Sequence, residues 1–255
     1  MKIIESTNNA LIKKFRSLSV KKYREQFSLF LVEGEKVVKE CLNYDSLTED
    51  IIINIEFREK YESIINKHKD KVILVSNEVY KSLSNTIEPQ NIMAVCRFVN
   101  SSIDGLRSEN VIVLDKLQDP GNLGTIIRSA VASGFNDIVL IDSVDPYNDK
   151  TIRSASGTIF FPKFYKVSTS EFIKFTKNNG YDIIVAEAGK MSIFDTNLRL
   201  PKRIALVIGN EGNGVSNEIV DAKSFSLSIP MDKRVESLNA GVSASILMFL
   251  LASKK

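Results

Sequence analysis

Apolar residues along the chain alternate between short continuous runs and stripes with helical spacing. The positions Leu11, Ile12, Phe15 and Leu18 form one such stripe and predict a helix over residues 7–24. Short apolar runs predict strands at Phe27–Glu33, Ile51–Ile55, Val72–Val75 and Ile92–Phe98. Helices are expected between them, after Gly34, over Arg58–His68 and over Glu78–Leu83. This alternation predicts an α/β sandwich for the first part of the chain.

The same alternation restarts more strongly after Asn100–Gly105, a polar stretch with the composition of a linker. Strands are predicted at Val111–Asp115, Ile138–Ile141, Phe164–Val167, Tyr181–Glu187, Ile204–Gly209 and Phe225–Ile229. Helices are predicted at Asn122–Ser133, Asp149–Ser154, Glu171–Asn178 and Leu238–Ala252. Continuous apolar strands separated by helices are typical of a parallel sheet covered on both faces. The pattern therefore predicts two α/β domains, residues 1–103 and 104–255.

Three loops rich in Gly, Asn and Ser follow predicted strands, at residues 119–124, 209–214 and 229–239. Because ligands of open parallel sheets bind at the carboxyl ends of the strands, the three loops are candidates for one shared pocket. Each has an ordinary explanation as well: a tight turn for the glycines, a helix cap for Ser237, a surface position for Arg128. In the functional interpretation Arg128 holds a phosphate, and Met231 and Leu238 form apolar walls.

Composition narrows the function classes without choosing among them. The net charge is only +3, but the first 24 residues are strongly basic, which suits a polyanionic partner or a solvated helix face. Cys41 and Cys96 lack metal-ligand spacing, which favours unpaired thiols in a reducing compartment. The single histidine, His68, is expected at an exposed helix end, which argues against Ser–His–Asp catalysis and histidine-rich metal sites. No apolar run reaches the length of a membrane span, so a cytoplasmic enzyme or binding protein is expected.

In order and composition, the three loops resemble the signature motifs of the SpoU (TrmH-like) branch of the SPOUT RNA methyltransferases. The resemblance covers roughly residues 108–255. Residues 30–42 and 88–94 are similar to the start and end of a ribosomal-protein-like substrate-binding domain that precedes many such enzymes. The combination resembles ribosomal-RNA ribose 2′-O-methyltransferases. It implies a trefoil knot in the C-terminal domain, S-adenosylmethionine as cofactor, RNA as partner, a homodimer with its site near the subunit interface, and no metal.

The resemblance also implies roles for individual residues. The polar positions of the motifs, expected to be catalytic, are Asn122, Arg128, Glu211, Ser237 and Asn239. The positions expected to meet the cofactor are Gly209, Gly214, Ile229, Met231 and Leu238. Because an arginine is hard to deprotonate, Arg128 is expected to grip a phosphate and stabilise developing charge rather than act as a base. A tRNA ribose methyltransferase and a non-catalytic rRNA-binding protein are the alternatives.

Overall fold

The computed structural model describes residues 2–44, 46–98 and 101–254. Their strands are β1 Lys2–Ile4, β2 Leu29–Glu33, β3 Thr48–Asn54, β4 Val72–Val75, β5 Ile92–Arg97, β6 Asn110–Asp115, β7 Asp137–Ile141, β8 Lys163–Lys166, β9 Asp182–Ser192, β10 Ile204–Ile208 and β11 Phe225–Ser228. Their α-helices are α1 Ala10–Ser17, α2 Lys21–Phe27, α3 Glu35–Leu42, α4 Glu62–Lys67, α5 Asn77–Leu83, α6 Pro120–Ser133, α7 Asp149–Ala155, α8 Thr169–Asn179, α9 Asn217–Ala222 and α10 Ala240–Ser253. Short 3₁₀ helices occur at Ile55–Phe57, Ile103–Gly105 and Thr158–Phe160.

The chain forms two compact units, and the first is discontinuous in sequence. Unit 1 comprises residues 1–99 together with Tyr147–Phe160, and unit 2 comprises 100–146 and 161–255. The Tyr147–Phe160 segment carries α7 and belongs to unit 1, although it falls inside the range predicted for the second domain. Aromatic contacts hold it there: the Tyr147 ring lies 4.5 Å from Phe30 and 4.7 Å from Phe98, centroid to centroid.

Unit 1 contains a five-stranded mixed sheet in the order β1-β4-β3-β5-β2. The strands β1, β4 and β3 run parallel, whereas β5 pairs antiparallel with both β3 and β2. The basic N-terminal segment is part of this unit, because Ile12, Phe15 and Leu18 are buried in its core.

The single helix predicted over residues 7–24 is wrong, since the chain breaks it into α1 and α2 between Leu18 and Val20. The buried Arg24 guanidinium stabilises the break by donating to the carbonyls of Leu18 at 2.7 Å and Ser19 at 2.9 Å. His68 is also buried rather than exposed, because the chain turns directly from α4 into β4 at this point.

Unit 2 contains a six-stranded sheet in the order β11-β9-β10-β6-β7-β8, and every strand pair in it is parallel. The predicted parallel sheet is therefore confirmed. Its central strands β6 and β10 are almost wholly apolar and buried, as expected for a sheet with covered faces. Helix α10 packs along α6, and Gly241 permits the approach: a Cβ there would lie 3.2 Å from Thr125 Cβ.

Candidate active site

Three loops in unit 2 follow the carboxyl ends of strands and converge. We name them the first loop (residues 116–119, after β6), the second loop (209–216, after β10) and the third loop (229–239, after β11). Because β6 and β10 are neighbours in the parallel sheet, the first two loops leave it side by side. The third loop leads into α10, which returns the chain to α6.

The Glu211 carboxylate of the second loop joins it to the first. It accepts hydrogen bonds from the backbone amides of Gln118 at 3.4 Å and Asp119 at 3.3 Å, and from Asn122 Nδ2 at 2.9 Å. Partial burial alone would raise the pKa of Glu211, but the hydrogen bonds from Asn122 and the loop amides hold it below its ordinary value. The carboxylate is therefore ionised at neutral pH and binds the first loop as an anion.

Asn122 extends this connection to the third loop. Its Oδ1 accepts from Asn239 Nδ2 at 2.8 Å, and Asn239 Oδ1 in turn accepts from the backbone amide of Val242 at 3.2 Å. Asn239 is thus the N-cap of α10, and the suggested capping role of Ser237 is wrong. Asn122 is not a cap either, because Asp119 caps α6 and Pro120 occupies its first position.

The second loop is closed on itself and tied down at both ends. Asn210 Oδ1 accepts from the amides of Gly212 at 2.9 Å and Asn213 at 3.0 Å, while Asn210 Nδ2 donates to the Lys116 carbonyl at 2.8 Å. At the far end, the Ser216 amide donates to the buried Asp115 carboxylate at 2.6 Å. Sequence reasoning missed Asp115, whose only signal was an acidic residue at the end of an apolar strand.

The second and third loops, with the ends of β9, β10 and β11, line an open cavity of about 590 Å³. This volume lies in the usual range for small-molecule sites. Its walls combine apolar side chains, among them Leu227 and Leu247, with polar groups that include Glu187 and Asn210. A mixed lining of this kind fits S-adenosylmethionine, which carries both an apolar base and thioalkyl chain and polar ribose and amino-acid groups.

The structure places most of the motif residues around this cavity. Those that line it are Gly209, Glu211, Gly214, Ile229, Met231, Ser237, Leu238 and Asn239. Asn122 lies directly behind them through its hydrogen bonds to Glu211 and Asn239. All the cofactor positions suggested by the resemblance are therefore at the cavity wall, and their binding role stays a prediction.

Arg128 is not among the residues that line the cavity. It lies in the third turn of α6, six positions beyond Asn122, and at about 3.6 residues per turn its side chain leaves the helix from another face. It is exposed, and the hydrogen bonds to the Glu211 carboxylate described above come from the loop amides and Asn122. The cavity wall also includes Ala186, Glu187 and Ala188, which sequence reasoning had assigned only to a strand and the residue after it.

The described residues contain neither a metal-binding group of side chains nor a membrane-spanning helix. Within residues 2–44, 46–98 and 101–254 no group of three or more His, Cys, Asp and Glu side chains is placed to hold a metal ion. In the same described ranges, every helix is too short or too polar to cross a bilayer.

Comparison with known proteins places this site in a family. The profile described as the SpoU rRNA methylase family matches residues 109–249, and the profile of an MRM3-like substrate-binding domain matches residues 9–94. The chain belongs to the SpoU rRNA methylase family, and the predicted resemblance is confirmed.

Similar proteins extend over nearly the whole chain. The 23S rRNA (guanosine(2553)-2′-O)-methyltransferase RlmP of Bacillus subtilis is 32% identical over 254 residues, 98% of this chain and 99% of that protein. The crystal structure of an AdoMet-bound rRNA methyltransferase from Sinorhizobium meliloti superposes with a TM-score of 0.88 at 26% identity, covering 99% of this chain and 97% of that one. The AdoMet-bound SpoU methyltransferase AviRb of Streptomyces viridochromogenes shares the fold at 22% identity, with a TM-score of 0.84 over 97% of this chain and 98% of that one.

Proposed function

We propose that this chain transfers a methyl group from S-adenosylmethionine to a ribose 2′-hydroxyl of 23S ribosomal RNA. The observation that carries the proposal is the hydrogen-bonded series Glu211–Asn122–Asn239, which joins all three loops beside a cavity of cofactor size. The RlmP relative, similar over nearly the full chain, supports 23S rRNA as the substrate class. Such a substrate is consistent with a cytoplasmic location.

The cofactor would be held by the cavity wall. Main-chain groups of Gly209, Ile229 and Leu238 are the proposed contacts, with Met231 as an apolar wall and Gly214 closing the second loop. When bound, the cofactor supplies a methyl group on a positively charged sulfur. The chain's own contribution is to fix the loops in advance, because alignment of reacting groups is worth about 7–11 kcal/mol.

The polar residues have separate proposed roles at the RNA. Ser237 and Asn239 orient the target nucleotide, while Glu211 keeps Asn122 and the first loop in place. Arg128, exposed on α6, grips the neighbouring phosphate and stabilises negative charge on the attacking oxygen. Water or a phosphate oxygen accepts the hydroxyl proton, since an arginine guanidinium is already protonated at neutral pH and has no acceptor site for a further proton.

A homodimer is part of the proposal, with the α10 surface as its interface. Helix α10 is apolar on all sides, yet Val242 and Phe249 are 44% and 49% exposed in the single chain. Apolar patches at a surface mark interaction sites, and Val242 and Phe249, seven positions apart, lie on one face of α10. Arg128 lies on α6, which packs against α10, and its side chain does not line the cavity of its own subunit. A dimer interface formed by the outer faces of α6 and α10 would place Arg128 next to the second subunit.

A trefoil knot in unit 2 is also proposed. Strand β11 lies at the edge of the sheet beside β9, whereas α10, the next element, packs on α6, which follows β6 on the far side of β10. The third loop must cross the ends of these strands to connect them. If the third loop passes through the opening formed by the second loop, the crossing is a knot. Protein chains are otherwise almost always unknotted.

RNA binding is assigned to unit 1, which contains most of the predicted domain 1–103, and methyl transfer to unit 2, which contains most of the predicted domain 104–255. Helices α1 and α2 of unit 1 expose Lys13, Lys21 and Lys22. The ammonium group of Lys22 lies 6.0 Å from the ring centre of Tyr23, and that ring stacks on Phe27 at 6.5 Å. Cationic and aromatic groups on one surface suit phosphates and unstacked bases.

The RNA-binding role is tested by charge reversal, because deleting residues 1–24 would also remove β1 and three core side chains. The double variant Lys13→Glu/Lys22→Glu should weaken rRNA binding while leaving cofactor affinity unchanged. Lys69→Glu, an exposed lysine elsewhere in unit 1, is the matched control. Equal loss in the control would contradict a localised RNA surface.

The activity is tested with labelled S-adenosylmethionine and RNA from a strain that lacks the gene. Label in 23S rRNA at an alkali-resistant linkage supports ribose 2′-O-methylation, and the wild-type strain's rRNA should accept none. Label in tRNA would instead establish the tRNA alternative. RNA binding without any label transfer would establish the non-catalytic alternative.

A further inference from the structure

The wall of the cavity includes an excursion of β9 that the motif comparison does not assign. Strand β11 pairs with β9 at Ser226↔Val185 and resumes at Leu227↔Met191, so residues 186–190 leave the ladder. The excursion turns at Gly189, whose φ is +72°. Glu187 lies within it and lines the cavity.

Two hydrogen bonds hold the Glu187 side chain in place, and a third neighbour, Lys190, lies farther away. Its Oε2 accepts from Lys223 Nζ at 2.9 Å and from the buried Ser226 hydroxyl at 2.8 Å. Its Oε1 lies 3.5 Å from Lys190 Nζ, beyond the usual length of a hydrogen bond. A carboxylate has about four acceptor positions, so this group retains capacity on Oε1.

The charge around Glu187 determines which kind of ligand group can donate a hydrogen bond to its carboxylate. One carboxylate and the ammonium groups of Lys190 and Lys223 together carry a net charge of +1. A further cation, such as the amino group of a methionine moiety, is therefore disfavoured beside it. Neutral hydroxyl groups meet no such repulsion, and adjacent ribose hydroxyls are groups that a fixed Asp or Glu binds in other nucleotide sites.

We propose that Glu187 is a specificity residue that binds the ribose hydroxyls of the adenosyl cofactor. This inference rests on the proposed function, because it needs an adenosyl ligand in the cavity. Lys223 and Ser226 act as positioning residues that fix the carboxylate, and the excursion at residues 186–190 brings it to the wall.

The test measures binding by isothermal titration calorimetry with the full-length protein and no RNA. The ligands are S-adenosylhomocysteine, its 2′-deoxy and 3′-deoxy analogues, and 5′-methylthioadenosine, which lacks the amino-acid part. The proteins are wild type, Glu187→Gln, Glu187→Asp and Lys190→Ala, each checked by thermal unfolding. The Lys190 variant removes a neighbour of the carboxylate but leaves its two short hydrogen bonds.

Wild type should lose on the order of tenfold in affinity for at least one deoxy analogue, the loss of a hydrogen bond to a charged group. Glu187→Gln should lose a similar factor in affinity for both S-adenosylhomocysteine and methylthioadenosine. Removing the ribose hydroxyl from the ligand should then cause little further loss of affinity in this variant. Lys190→Ala should bind as wild type does. If Glu187→Gln does not fold, Glu187→Asp and the analogue series on wild type carry the same test.

Two results would overturn the inference about Glu187 and leave the proposed function intact. One is a deoxy penalty of the same size in wild type and in the Glu187 variants. The other is loss of affinity for S-adenosylhomocysteine with none for methylthioadenosine, which would assign Glu187 to the amino-acid part. Failure of the proposed function would look different, because wild type would then bind none of the four ligands.

Discussion

Replacing Gly209 with alanine tests whether the second loop must keep its present closure. A Cβ built at Gly209 would lie 2.3 Å from the carbonyl carbon of Gly214, 2.4 Å from its oxygen and 2.5 Å from the amide nitrogen of Val215. These are backbone atoms, so no side-chain rotation relieves the clash. The two strands of the loop would have to separate, and the Asn210–Gly214 bridge that closes it would be lost.

The expected losses of stability and of cofactor affinity follow from this displacement of the loop backbone. Overpacking of a fixed site costs about 1–3 kcal/mol, and each kcal/mol lowers the melting temperature of a chain this size by about 2–4 °C. Because Gly209 lines the cavity, cofactor affinity should also fall by about tenfold or more, equivalent to about 1.4 kcal/mol. Differential scanning fluorimetry and calorimetric titration with S-adenosylhomocysteine measure the two effects.

Two alanine substitutions serve as controls. At Gly105 an added Cβ meets nothing within 4 Å, so both stability and affinity should match wild type. At Gly212, in the same loop, the nearest atom would be Asn210 Oδ1 at an ordinary 3.6 Å, so stability should be retained. Wild-type melting and affinity in Gly209→Ala would refute the argument that close backbone approach shapes this site.

Further predictions concern charge, assembly and thiols. Arg128→Lys should lose most turnover and Arg128→Ala slightly more, in a methyl-transfer assay, because lysine keeps the charge but not the bidentate geometry; near-normal turnover in the lysine variant would rule out that geometry. Phe249→Glu should shift the protein towards monomer in light scattering, because it places a charge in the proposed apolar interface. Glu211 has a lowered pKa in the folded state, so its contribution to stability is present above about pH 4.5 and is lost as pH falls through that lowered value; the melting difference between wild type and Glu211→Gln should be constant from pH 8 to 6 and shrink below pH 4.5. Cys41 and Cys96 are buried, and burial raises the pKa of Cys96, so a thiol reagent at neutral pH should label them only after unfolding.

Much of the fold followed from local pattern. In unit 2 the apolar runs at residues 111–115 and 204–208 were long and unbroken enough to predict a parallel sheet, which the structure confirms. The order of the strands could not be predicted, because periodicity carries no information about which strands are neighbours. The break between α1 and α2 was missed for a related reason, since it depends on the buried contacts of Arg24.

The candidate site was predicted in part. Glycines and amides after strands pointed to the loops that hold Glu211 and Asn239, and the structure brings both to one cavity. Arg128 was harder to place, because helix phase and α6–α10 packing together decide which way it faces. Glu187 carried no signal at all: its position depends on a register shift against β11, which appears only once the strands are paired.

The path of residues 147–160 has a consequence for biosynthesis. Tyr147 and Phe160 complete the aromatic packing around Phe30, yet they are translated long after residue 98. Domains generally begin to fold in the order in which they leave the ribosome. Unit 1 therefore cannot complete its aromatic packing until residue 160 has been translated, after about a third of unit 2 has been synthesised.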